Sequence, residues 1–148
     1  MQSSQQLIDL IRSPRIEGTR YVAYLDTGGV WTIGAGHTGP DVTEGMRIDD
    51  SQVDAYLRED LAEAEEAINR LVKRELSQHQ FDALVSFVFN IGVGQFAGST
   101  MLKLLNRGDM AGAAAQFPRW KYDNGRIVGG LIKRRALERR IFERGVYA

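Results

Sequence analysis

The stretch that decides the fold is Tyr21-Val22-Ala23-Tyr24-Leu25-Asp26-Thr27-Gly28-Gly29-Val30-Trp31-Thr32-Ile33-Gly34. Two β-prone runs flank Asp26-Thr27-Gly28-Gly29, whose residues suit a tight reversal, so residues 21 to 35 read as a β-hairpin. Gly34 and Gly36 end its return strand. On the N-terminal side, residues 7 to 12 read as a short helix that Pro14 does not let continue unchanged. Ser13-Pro14 could equally open a second turn, with Ser13 as cap. In either case Glu17-Gly18 falls at an element boundary.

Downstream of the hairpin the period changes. From Asp50 to Arg74, Val53, Leu57, Leu61, Ala64, Ile68 and Leu71 share one helical face, with Asp54, Glu59, Glu63, Glu65 and Glu66 elsewhere. A helix of that length spans roughly 35 Å. Ser77-x-x-Gln80 is a capping box, with Leu76 and Phe81 placed as a hydrophobic staple. The helix it opens is apolar nearly all round (Phe81, Leu84, Val85, Phe87, Val88, Phe89, Ile91) and reads as a buried centre stopped by Gly92 and Gly94. Short helices follow at about 99–106 and 109–117, the second capped by Asp109 and stopped by Pro118. A last helix covers about Gly130 to Glu143. These elements predict an α+β, mainly α fold. It has a small β lobe at about 15–50, a connecting helix at about 50–74 and a helical lobe at about 75–148, with a cleft for substrate between the lobes.

At 148 residues the chain fits one domain. The absence of cysteine removes disulfides, thiolate metal sites and cysteine nucleophiles. Two histidines, His37 and His79, without a spaced ligand cluster make a metal site improbable, and no cofactor is implied. No apolar run reaches the length of a signal peptide or a membrane span. Net charge is zero but unevenly spread. Asp41 to Glu66 holds ten acidic residues against Arg47 and Arg58, and Arg119 to Ala148 holds nine basic residues against Asp123, Glu138 and Glu143. The basic third suits an anionic partner, or charges that pair internally. A membrane-disrupting helix and a nucleic-acid binder are the rival classes. The last helix lacks a clean amphipathic stripe and looks packed, with Arg134 or Arg135 pairing Glu138, and no nucleic-acid-binding motif is present.

Glu17, Asp26 and Thr32 are residue types that glycosidic cleavage uses: a proton donor for the leaving oxygen, a carboxylate for water or developing charge, and a hydroxyl to orient that water. The hairpin brings 26 and 32 together. Spacing alone does not bring Glu17 to them, since Glu17 could be a helix-end charge and Asp26 is a favoured turn residue.

The residues around them carry more weight. Glu17-Gly18, Ala23-Tyr24-Leu25-Asp26 and Gly29-Val30-Trp31-Thr32-Ile33-Gly34-x-Gly36-His37-Thr38 resemble the phage lysozyme family, glycoside hydrolase family 24. So do Gln80-Phe81-Asp82-Ala83-Leu84 through Asn90-Ile91-Gly92, Arg119-Trp120, and Gly130-Leu131 with Arg134-Arg135. The resemblance implies a two-lobed lysozyme fold. It implies a hydrolase of the β-1,4 bond between N-acetylmuramic acid and N-acetylglucosamine, with peptidoglycan glycan strands as the partner. It makes Glu17 the general acid, with Asp26 and Thr32 activating and holding water; those two residues favour hydrolysis over lytic transglycosylation, which needs no residue to hold water. It further implies a monomer that accumulates in a host cytoplasm and reaches the wall through a holin. Trp31, Gln95, Phe96, Arg119 and Trp120 are candidates for sugar contact. His37 is expected to be structural, ion-paired to the long helix, and His79 to be solvated.

Overall fold

The computed structural model describes residues 1–148. Seven α-helices, a three-stranded antiparallel sheet and a two-stranded one follow in the order α1 (Gln5–Arg12), β1 (Arg20–Leu25), β2 (Trp31–Gly34), β3 (His37–Thr38), α2 (Asp50–Leu71), α3 (Gln78–Ile91), α4 (Val93–Ala97), α5 (Thr100–Asn106), α6 (Met110–Ala114), β4 (Tyr122–Asp123), β5 (Arg126–Ile127) and α7 (Gly129–Arg144). The chain divides into two compact units: Gln5–Ala62, and Met1–Ser4 with Glu63–Ala148.

In the smaller unit α1 buries Leu7, Ile8, Leu10 and Ile11. It stops at Arg12 because the residue before a proline is pushed out of the helical region. The freed carbonyl of Leu10 accepts from Ser13 Oγ at 2.6 Å, and the turn after Ser13 is closed by Gly18 N–H donating to Ser13 O at 2.8 Å. Both readings of Ser13-Pro14 hold: α1 stops at Arg12, and Ser13 opens a turn, its Oγ accepting from Arg15 N–H at 3.3 Å and its carbonyl from Ile16 N–H at 3.1 Å. The sheet runs β1-β2-β3, with Leu25 opposite Trp31, Tyr24 opposite Thr32 and Ile33 opposite His37. Ile33 is fully buried, and Val53 of α2 packs beside Gly34. Arg12 ties the end of α1 to Asp50 and Asp54 of α2 at 2.6 and 2.5 Å.

The larger unit is built around α3, buried continuously from Phe81 to Val88. The Ser77–Gln80 capping box is present in both directions. Phe87 meets Phe117 and Trp120 edge-on at ring-centroid distances of 5.2 and 5.6 Å. On α7 the buried face carries Leu137, Ile141 and Phe142 together with Arg134, Arg135 and Glu138. Glu138, with no exposed surface, accepts from Ser86 Oγ at 2.6 Å, from Arg134 Nε at 3.2 Å and from Arg135. The expected Arg–Glu pairing is therefore present, and it is internal.

Four local expectations are corrected by the structure. Gly92 caps α3 as expected, but Gly94 is not a stop, because it lies within the short helix α4. The helix opened by Asp109 ends at Ala114. Pro118 lies within a 3₁₀ turn, Phe117–Arg119, where its missing N–H costs nothing. The hairpin β4–β5 interrupts a stretch with no expected strand, although Asn124-Gly125 at its tip is a standard turn pair and Asn124 has φ 50°. His79 is not free in solvent: its Nδ1 lies 3.0 and 3.1 Å from the carbonyl oxygens of Ile141 and Phe142 in the last turn of α7.

Candidate active site

Glu17, Asp26 and Thr32 all belong to the smaller unit. Glu17 sits on the turn after α1, its N–H donating to Ile11 O at 3.0 Å, and its side chain is exposed. The carboxylate lies over the backbone of Gly36, in the turn between β2 and β3. A Cβ on Gly36 would stand 2.9 Å from Glu17 Oε2.

Asp26 is exposed at the start of the β1–β2 turn. Its Oδ1 accepts from the N–H groups of Gly28 at 2.9 Å and Val30 at 2.8 Å. These bonds close the turn in the manner of an Asx turn, the side chain accepting from backbone donors two and four residues on. One carboxylate oxygen is thereby occupied and the side chain is oriented, which leaves Oδ2 for another partner. Thr32 is 4% exposed, and its Oγ1 donates to Val30 O at 2.9 Å. With its proton committed there, the hydroxyl can offer only a lone pair to anything else.

His37 is clamped. Its Nδ1 lies 2.8 Å from Asp60 Oδ2, its Nε2 lies 3.0 Å from Asp41 Oδ2, and its ring stacks on Tyr56 at 4.1 Å. Burial works against the charged ring, but the hydrogen bonds to Asp60 and Asp41 outweigh it and hold the His37 pKa above the usual value. The same contact lowers Asp41, while burial raises Asp60. We take the cluster as an imidazolium held between two carboxylates, since each ring nitrogen faces an acid. The expected partner on the long helix is Asp60, and Asp41 is an addition. With both nitrogens committed, His37 has none to offer a substrate.

Among the sugar-contact candidates, Gln95 and Trp120 come together. Both line a groove of about 590 Å³ in the larger unit, with Asn90, Tyr122, Asn124 and Arg135. The last four are additions that the sequence reading missed. Asn124 carries a turn signal, whereas Asn90 and Arg135 have no local sign. Arg135 is 1% exposed, donates to Trp120 O at 3.0 Å and holds Asn90 Oδ1. Phe96 is corrected: it has no exposed surface, because its ring fills the core beneath α4. Arg119 is exposed and is not part of the groove lining. Trp31 is half-buried on β2 opposite Leu25.

Residues 14–138 match the family model for phage lysozyme. This chain belongs to the phage lysozyme family. It is 43% identical over 147 residues to the endolysin of Bacillus phage PZA, covering 98% of this chain and 56% of that one. It thus spans just over half the length of that relative. It is 44% identical over 138 residues to the endolysin of Acyrthosiphon pisum secondary endosymbiont phage 1, covering 90% and 94% of the two chains. Among solved structures, the endolysin from Escherichia coli O157:H7 phage FAHEc1 superposes with a TM-score of 0.91 at 35% identity, covering 100% of this chain and 97% of that one. These similarities agree with the mainly helical fold carrying a small antiparallel sheet that the pattern predicts.

Proposed function

We propose that this phage lysozyme family member is an endolysin that hydrolyses the β-1,4 bond between N-acetylmuramic acid and N-acetylglucosamine in peptidoglycan strands. The observation that carries the reading is the Asp26–Val30–Thr32 linkage, in the same unit as Glu17. Glu17 donates its proton to the bridging oxygen as the C1–O bond breaks, and the departing sugar leaves as an alcohol. A water attacks C1. It points one hydrogen at Asp26 Oδ2 and the other at the Thr32 lone pair, which leaves its own lone pair for carbon. Its proton passes to Asp26, so the carboxylic acid and the carboxylate have exchanged roles at the end of the turnover.

The groove beside Trp120 offers amides at Asn90, Gln95 and Asn124 and an aromatic face, which suits the acetamido groups and ring faces of the strand. No helix is long and apolar enough to cross a membrane. Accumulation in the host cytoplasm, release through a holin and a monomeric working state belong to the same proposal.

Glu17→Gln tests the reading. The amide is close in shape but cannot act as the acid, and general acid catalysis is worth about 10² to 10⁴-fold. Wall lysis by the folded variant should fall by that factor. Lysis at the wild-type rate would remove Glu17 from the mechanism. Mass analysis of the digest separates reducing ends, the expected product, from the anhydro-muramic ends of a transglycosylase.

A further inference from the structure

We infer that Gly36 is a positioning residue for Glu17: its bare α-carbon is the floor on which the carboxylate rests, and a side chain there would displace that carboxylate. The inference rests on the reading of Glu17 as the acid. At Gly36 a Cβ would lie 2.9 Å from Glu17 Oε2, 3.3 Å from Cδ and 3.7 Å from Cγ, and these are the three nearest atoms around it. The contact is with this one side chain from its second methylene to its end. The shortest distance is well inside an ordinary contact of ~3.5 Å.

The nature of the intruded atom decides the consequence. Were it backbone or packed core, a side chain at position 36 would damage the fold. It is the carboxylate end of an exposed glutamate side chain. The clash is therefore relieved by rotating Glu17, which moves the group that must meet the leaving oxygen. Gly36 cannot give way instead. The backbone beside it is held by His37, whose ring is bonded to Asp60 and Asp41 and stacked on Tyr56. Ile33, paired with His37 across the turn, is fully buried. Gly36 also has φ 80°, a conformation that L side chains rarely adopt, so substitution there has a stability cost independent of Glu17.

Two substitutions separate these effects. Gly36→Ala and Gly36→Asn place the same Cβ against Glu17, while asparagine tolerates the left-handed backbone better than alanine. The melting temperatures should differ between the two, and the activities of the folded fractions should not. Both variants should lose about 10²-fold in kcat, the cost of a misplacement of the order of an ångström, with KM changed by less than a few-fold. A double-mutant cycle supplies the coupling. Glu17→Asp shortens the side chain by one methylene and withdraws it from position 36. It should be costly in the wild type and cost several-fold less in the Gly36→Ala background. Kinetics on purified glycan strands, with circular dichroism to establish the folded fraction, read all of these.

Wild-type kcat in folded Gly36→Ala, or strictly multiplicative effects of Gly36→Ala and Glu17→Asp, would overturn the inference while leaving Glu17 as the acid. An active Glu17→Gln would overturn the underlying reading. If Gly36→Ala fails to fold, Gly36→Asn carries the test.

Discussion

Asp26 and Thr32 are joined through one residue: Val30 donates its N–H to Asp26 Oδ1 at 2.8 Å and accepts at its carbonyl from Thr32 Oγ1 at 2.9 Å. The turn between β1 and β2 therefore orients the carboxylate and the hydroxyl together. The same bonds that close the hairpin point the two side chains.

This dual role separates two substitutions at position 26. Asp26→Asn keeps an Oδ1 acceptor for Gly28 and Val30, so the melting temperature should stay close to the wild-type value while lysis falls at least ~10²-fold. Asp26→Ala removes the acceptor as well. It should lose the activity and also roughly 1 kcal/mol of stability, seen in denaturant unfolding.

Thr32 bears on the stereochemistry. A carboxylate that attacked the sugar itself would need no hydroxyl beside it, whereas a water poised for attack needs two acceptors. The expected outcome is inversion, with the α anomer as first product from the β-linked strand. NMR of an early digest reads the anomer. A β product would make Asp26 the nucleophile.

The His37 clamp predicts a pH dependence of stability. The folded pKa of His37 is raised, so its contribution is complete below the unfolded value of about 6.5 and is lost as pH rises through the folded value. His37→Asn should melt several degrees below wild type at about pH 5.5, and the gap should narrow toward about pH 9. The folded variant should keep most of its activity. A gap that widens with rising pH would contradict the charged clamp.

Glu138 holds Arg134 and Arg135 inside the larger unit. Removing one partner of a buried ion pair strands charge without water, at a cost of about 3–5 kcal/mol. Glu138→Gln should lower the melting temperature by on the order of 10 °C. A loss of a degree or less would mean that the network tolerates an unbalanced guanidinium.

Asp82, fully buried on α3, accepts from the N–H and Oγ of Ser4 and from the Tyr147 hydroxyl, clasping both chain ends within the larger unit. Burial first, and then Asp82, push the Tyr147 phenol well up, which keeps it a donor. Ser4→Ala and Tyr147→Phe should couple through the shared carboxylate and fail to add by at least ~0.5 kcal/mol in a denaturant double-mutant cycle.

Elements whose cause is local were legible before any fold was known. The apolar period of α2, the capping box of α3 and the Asp26-Thr27-Gly28-Gly29 turn each depend on residues a few positions apart, and each appears close to its predicted place. Where the local pattern was short, it misled. The two-residue strands of β4–β5 offer no alternation to read, and Pro118 acts as a 3₁₀ residue because three residues suffice for such a turn. Tertiary structure alone decided what depends on residues brought together from afar. It set the Glu17 carboxylate against Gly36, gave His37 two carboxylates, placed Phe96 in the core and seated Arg135 behind Trp120. The reason is physical. Periodicity and turn chemistry record which face of an element avoids water, whereas the reach and burial of a side chain are fixed only when a second element supplies the neighbouring atoms.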